Sequence, residues 1–177
     1  MGQYYRFYLK NSKGERMLCP FDFDNTLKLM EHSWIGNEYC NQAVLSLKDM
    51  KSAKVYHLGD YAEDLVSPEI YNKVWGGEGC DPVHFTKSYE YDRSDVVFIS
   101  CPDRKEYIRY PFSTKNSDDW YCNHFALLTA LGNGREGGDY RGINPDMVGL
   151  WGGHTLKVSS KEPKGLNKIH GWMFQED

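Results

Sequence analysis

Long apolar runs, basic clusters and paired cysteines are all missing from this chain. No apolar stretch approaches the roughly 20 residues of a membrane-spanning helix, so no membrane partner is expected. The opening Met1-Gly2-Gln3-Tyr4-Tyr5-Arg6-Phe7-Tyr8 has no basic region followed by an apolar one, so no secretion signal is expected either. Position 6 is Arg6 rather than Ser or Thr, which removes Gly2 from a myristoylation motif. Cys19, Cys40, Cys80, Cys101 and Cys122 are odd in number, widely spaced and form no Cys-x-x-Cys. That argues against a closed cysteine-rich zinc site and for reduced, mostly buried thiols in a cytoplasmic protein. The formal net charge is −4, and lysines and arginines are scattered. Nucleic-acid binding draws on a dense basic surface, so a nucleic-acid partner is not expected.

What is present fits one globular domain over residues 1–177. A chain of this size buries about 70% of its surface, enough for a core without staples. Tyr4–Lys10 alternates and is aromatic-rich, Asn11-Ser12-Lys13-Gly14 has turn chemistry, and Arg16–Cys19 returns. This predicts a hairpin with Tyr5, Phe7 and Leu9 on one face. Asp24 or Asn25 is expected to cap a helix from about Thr26, with Leu27, Met30 and Trp34 on one side. A second helix is expected over Glu38–Met50, with Cys40, Val44 and Leu47 together. Lys54–Leu58 reads as a strand, and Pro68 as the start of a helix running to Trp75. Gly76-Gly77-Glu78-Gly79 stops that helix, and Cys80–Tyr91 reads as loop.

Asp95–Cys101 and Glu106–Phe112 predict a second hairpin about Pro102-Asp103-Arg104-Lys105. Ser113–Asp119 reads as a polar loop. Trp120–Leu131 is expected to be helical, with His124, Leu127, Leu128 and Leu131 on one face and Gly132 as its cap. Val148–Trp151 and Thr155–Ser159 read as extended, and Trp172, Met173 and Phe174 as a tail that docks back. Hairpins separated by several short helices, without a regular βαβ rhythm, predict an α+β fold with a largely antiparallel sheet.

The organising stretch is Gly132-Asn133-Gly134-Arg135-Glu136-Gly137-Gly138-Asp139-Tyr140-Arg141-Gly142. It lacks the Gly-Lys-Ser/Thr of a P-loop, and it does not link a strand to a helix as a dinucleotide fingerprint does. Two readings remain. In one, Gly134, Arg135, Gly137, Gly138 and Arg141 bind an anionic ligand, with backbone N–H groups forming a nest and the two arginines closing on a phosphate or carboxylate. In the other, the stretch is a solvated connector. An internal echo bears on the same region. Gly59-Asp60-Tyr61, Pro68-Glu69 and Trp75-Gly76-Gly77 reappear in order as Gly138-Asp139-Tyr140, Pro145-Asp146 and Trp151-Gly152-Gly153. Turn formers recur by coincidence, or both copies make similar turns around one cleft.

The opening Met1-Gly2-Gln3-Tyr4-Tyr5, the run Leu27–Trp34, the glycine loop and Trp151-Gly152-Gly153 together carry a resemblance. They resemble an uncharacterised set of short bacterial and phage proteins that begin Met-Gly-Gln-Tyr-Tyr. The resemblance covers about a third of the chain in patches. It implies a bacterial or phage source and carries over no catalytic residues.

Candidate chemistry is sparse. Asp60, Asp139 and His154 are weak catalytic candidates as acid, base or hydroxyl-holding groups. His32, His57 and His124 are further histidines that could join those acids. Asp22 and Asp24 share a face if their segment is extended. No His-Glu-x-x-His or similar spacing occurs, so no metal site is assigned, and no cofactor is indicated. Cys122 and His124 are two apart and would not face each other on a helix; Cys101 with a distant histidine has no support. Two functions from different classes follow. The first is binding, with or without turnover, of a small phosphorylated or anionic molecule. The second is a non-enzymatic interaction module, such as a phage-encoded inhibitor of a host system, whose acidic, tyrosine-rich surface covers a basic site on a host protein.

Overall fold

A computed structural model describes residues 2–76, 88–114 and 121–174, with Trp172 described by its backbone alone. Cys80, the Gly77–Gly79 stop, most of the loop expected over Cys80–Tyr91, the greater part of Ser113–Asp119, Trp120 and the docking of the Trp172 side chain lie outside the described residues.

The first hairpin forms as its alternation predicts: β1 (Tyr5–Asn11) pairs antiparallel with β2 (Gly14–Leu18), closing at Asn11↔Gly14. Tyr5, Phe7 and Leu9 are fully buried on one face. Each such side chain contributes about 1.5–3 kcal/mol by leaving water. β3 (Ser52–Gly59) pairs antiparallel along β1 from Tyr5↔Gly59 to Lys10↔Lys54. β4 (Val96–Cys101) and β5 (Glu106–Pro111) make the second hairpin. β7 (Thr155–Ser159) joins the two halves, pairing with both β3 and β4. Two short strands, β6 (Ala130–Leu131) and β8 (Asn167–Lys168), run parallel to β3 and β5. The result is an eight-stranded, mostly antiparallel sheet in the order β2-β1-β3-β7-β4-β5-β8, with β6 beside the end of β3. The protein is α+β.

α2 (Glu38–Met50) starts where the Asn37 side chain accepts from the Cys40 N–H, and Tyr39 through Leu47 are all buried, Tyr39, Cys40, Ala43, Val44 and Leu47 in the core and Gln42 under the Tyr89 backbone. Its Tyr39 hydroxyl donates to the Leu18 carbonyl and accepts from the Phe7 N–H at 2.8 Å, tying the helix to both strands of the first hairpin. α3 (Pro68–Trp75), capped by Ser67, covers the opposite face through Ile70 and Val74, which meet Tyr8, Met17, Leu58 and Ala62.

Three expectations are corrected. The helix expected from Thr26 shrinks to α1 (Leu29–His32), and neither Asp24 nor Asn25 caps it. Asp24 adopts a left-handed conformation (φ 55°) after a 3₁₀ turn at Pro20–Phe23, and an N-cap needs extended backbone. The Trp34 indole takes the Met30 carbonyl (2.8 Å) that the next helical N–H would have used. The helix expected over Trp120–Leu131 is described only as α4 (His124–Thr129), because Ala130 turns extended to pair β6 with β3. Gly132 therefore follows a strand and is no helix cap. Val148–Trp151 is a turn rather than a strand: the Gly149 N–H joins that of Ala130 on the Leu127 carbonyl, and the Trp151 N–H takes the Leu128 carbonyl, at the end of α4.

Candidate functional site around the two Gly-Asp-Tyr turns

The register of β1 on β3 brings Asp60 against Tyr4. The Asp60 N–H donates to the Tyr4 carbonyl at 3.0 Å, and the Tyr4 N–H donates to Asp60 Oδ1 at 2.9 Å. On the other side of the same segment, Gly2 bridges Gly137 and the Gln3 N–H donates to the Gly137 carbonyl. The Tyr5 hydroxyl donates to Asp139 Oδ1 at 2.9 Å. The two Gly-Asp-Tyr turns thus flank Gly2–Tyr5, and the adjacency that the echo required is met at Asp60 and Asp139. Beyond the aspartates the two copies diverge. Trp75 is half-buried beneath the Arg6 guanidinium, 4.4 Å from its ring, whereas Trp151 is fully buried and donates to Glu106.

The glycine loop does form an anion nest, and the anion comes from the chain itself. The backbone N–H groups of Gly134, Arg135 and Glu136 converge on Asp139 Oδ2 at 2.8, 3.0 and 3.2 Å. The fully buried Gln3 amide, with its nitrogen turned inward, donates to the same oxygen and to the Gly132 carbonyl. Asn133 and Tyr140 exchange two further bonds across the loop. The Arg135 guanidinium forks onto Asp64 and reaches the Tyr61 carbonyl, and this partner holds the Asp64 carboxyl below its usual range.

Much of the expected ligand-binding set is thus engaged within the chain. The Gly134 and Arg135 amides and the Arg135 side chain already have anionic partners; the Gly137 and Gly138 carbonyls accept from Gln3 and Met30; Arg141 is exposed. The reason is proximity. A carboxylate tethered three to five residues from the amides meets them at an effective concentration that a free ligand cannot match.

The catalytic candidates do not assemble. Asp60 and Asp139 hold the N-terminal segment, while His154 pairs with Asp103 at 3.3 Å and lies beside Val55, toward the far end of β3. Asp22 and Asp24 are exposed and lie in a turn, not in extended backbone. Burial pushes the thiols of Cys40, Cys101 and Cys122 up, opposite to the shift that activates a nucleophile. His32 and His57 join each other instead of the acids, with their Nε2 atoms 3.0 Å apart in full burial. One sign of this was legible: His57 alternates with buried Val55 on the inward face of β3.

The outer surface of the two turns is aromatic and acidic. Tyr4, Tyr61 and Leu65 stand 39%, 38% and 46% exposed. Glu63 and Asp64 are exposed, and Asp60 and Glu136 half-exposed, around Arg135. Partial burial, helped by the neighbouring Asp139 charge, raises the Asp60 pKa. Two grooves lie elsewhere. One of about 590 Å³ is lined by Lys10, Ser52, Lys54, Tyr56 and Ser67, and another of about 620 Å³ by Ile35, Arg93, Asp95 and Arg109. The glycine loop lines neither. Among the described residues no three His, Cys, Asp or Glu side chains cluster to hold a metal ion, and no helix is long and apolar enough to cross a membrane.

No protein-family model, no curated protein and no solved structure matches the chain.

Proposed function

We propose that this protein is a non-enzymatic interaction module that presents the face around Tyr4, Tyr61 and Leu65 to a basic surface on a partner protein. One observation carries the reading: the glycine loop closes on its own Asp139, and Arg135 closes on Asp64. The loop is thus an acidic scaffold whose amides at Gly134, Arg135 and Glu136 and whose Arg135 guanidinium are already engaged, which counts against the small phosphorylated ligand. Tyrosine combines a large apolar face with a polar tip, and exposed carboxylates steer a cationic partner toward it. A phage-encoded inhibitor that covers a basic site on a host protein is a setting that suits such a face. The free, buried thiols of Cys19, Cys40, Cys101 and Cys122 support a reducing compartment such as the cytoplasm.

The test pairs two measurements. Affinity capture from a bacterial lysate compares the wild type with a Glu63→Lys/Glu136→Lys double variant, at low and high salt. A partner held by the wild type, released by salt and lost by the variant supports the reading. A thermal-shift screen against nucleotides, sugar phosphates and inorganic phosphate addresses the rival. A stabilising compound whose effect disappears in Arg135→Ala would replace the interaction reading with the small-molecule one.

A further inference from the structure

Two imidazoles meet in the centre of the fold. His32 and His57 are both 0% exposed, with Nε2 to Nε2 at 3.0 Å. Each points its other nitrogen at a backbone carbonyl: His32 Nδ1 at Thr26 (2.8 Å) and His57 Nδ1 at Ala126 (3.0 Å). A carbonyl oxygen only accepts, so each Nδ1 carries a hydrogen. A neutral imidazole has one N–H, and if both rings use it this way, two Nε2 lone pairs face each other at hydrogen-bond distance. Moving a hydrogen to either Nε2 leaves a bare Nδ1 against a carbonyl oxygen. Three hydrogens satisfy all four nitrogens, one more than a neutral pair owns.

We propose that His32 and His57 bind a single proton between their Nε2 atoms, and that this imidazole–imidazolium pair pins the Thr26–His32 segment to β3 and α4. The surroundings suit one buried cation. From β1, the Phe7 ring stacks on His57 at 3.9 Å and 11°, and the Tyr5 ring lies 5.3 Å away with its hydroxyl on the Asp139 carboxylate. From α2, Tyr39 meets His32 edge-on at 4.9 Å, and the Cys40 thiol donates to the His32 carbonyl. From α1, the Glu31 carboxylate favours a charged His32. Burial raises the Tyr5, Tyr39 and Cys40 pKa values, keeping those groups neutral, and aromatic faces attract a cation. Burial opposes charge on both rings, pushing His32 down to about 4 and His57 well below its ordinary value, so the shared proton is held against that cost by the Nε2–Nε2 hydrogen bond, and a second proton is excluded. A bridging zinc ion has bonds of about 2.0–2.1 Å and wants four ligands. The 3.0 Å separation and the aromatic walls fit a proton better.

The linkage has two signs. Above about pH 6.5 unfolded histidines are neutral, so the folded pair binds one proton more than the unfolded chain. The folding equilibrium constant then falls tenfold per pH unit until the pair itself titrates. Below about pH 6.5 the unfolded chain binds two protons against one, and stability falls in the other direction.

Denaturant unfolding of the full chain from pH 7.5 to 9, wild type against His57→Gln, reads the pair, since titrations common to both cancel. The expected result is a tenfold greater loss per pH unit in the wild type. Equal slopes overturn the proposal. Nitrogen-resolved imidazole spectra of the wild type at pH 8 decide the matter even if the variant fails to fold. Three N–H nitrogens among the four support the shared proton, and two pyridine-type Nε2 atoms overturn it. Stoichiometric metal in elemental analysis of the native protein also overturns it, by placing a different cation between the rings.

Discussion

Removing the carboxylate of Asp139 is the most informative single change in this protein. Asp139 is 5% exposed and accepts from three backbone amides at Oδ2 and from the buried Tyr5 hydroxyl at Oδ1. Asp139→Ala strands these four donors and the Gln3 amide at once. A hydrogen bond to a charged group is worth about 1.5–3 kcal/mol net, and a buried donor left unsatisfied costs about 1–3 kcal/mol. The three amides are only part-buried, so water recovers some of the loss. The expected cost is roughly 3–5 kcal/mol, in the range for breaking a buried charged contact. Asp139→Asn keeps the shape. Its amide oxygen can enter the nest, but its NH₂ faces the Tyr5 oxygen and the Tyr5 O–H loses its acceptor, so charge assistance and one buried hydrogen bond are lost, about 1–3 kcal/mol. Urea unfolding measures both, with the slope m unchanged if the native fold is kept. For a chain of this length each kcal/mol moves Tm by about 2–4 °C, so the alanine variant melts roughly 6–20 °C lower. Equal losses in the two variants, or an alanine variant within about 0.5 kcal/mol of wild type, would refute the idea that the loop is organised by its own carboxylate.

Further predictions concern the loop, acid sensitivity and the outer face. Gly132 has φ +105°, and an added Cβ would stand 2.4 Å from the Gln3 amide and 3.0 Å from Ala62 Cβ; Gly134 has φ +91° and open space. Gly134→Ala should therefore cost about 1 kcal/mol of backbone strain. Gly132→Ala should cost clearly more, by the same urea titration. His124 is buried, its Nε2–H donates to the Arg109 carbonyl at 2.8 Å, and burial pushes its pKa down. Its contribution is fully present above about pH 6.5 and is lost as the unfolded chain takes the proton below that pH. Unfolding curves between pH 6.5 and 5 should thus be less pH-dependent for His124→Gln than for wild type. On the outer face, Tyr61→Ala should leave stability within about 0.5 kcal/mol while weakening partner capture, because the side chain is exposed. Equal capture would remove Tyr61 from the interface.

Much of the architecture was legible because it is written locally. The β1–β2 and β4–β5 hairpins follow from alternation around turn residues, and α2 and α3 span the expected Glu38–Met50 and Pro68–Trp75. Such features depend on neighbours a few positions away, so a linear reading reaches them. The glycine loop was legible as an anion nest, because closely spaced glycines in a polar run free the amides to converge. The carboxylate that the nest holds, Asp139, was not read as its partner, although it stands only three to five residues from those amides.

What the chain order alone could not supply came from β3. Its register sets Asp60 beside Tyr4, carries His57 inward to meet His32 twenty-five positions earlier, and draws Ala130–Leu131 out of the helix into the sheet. Local propensity favoured the longer helix, but the parallel pairing with His57 and Leu58 offered those backbone groups buried partners. The sequence by itself determined the two hairpins and the helices α2 and α3, because those preferences are short-range. Only the tertiary structure decided which carboxylate fills which nest and which two histidines share one buried space, since both depend on contacts between elements remote along the chain.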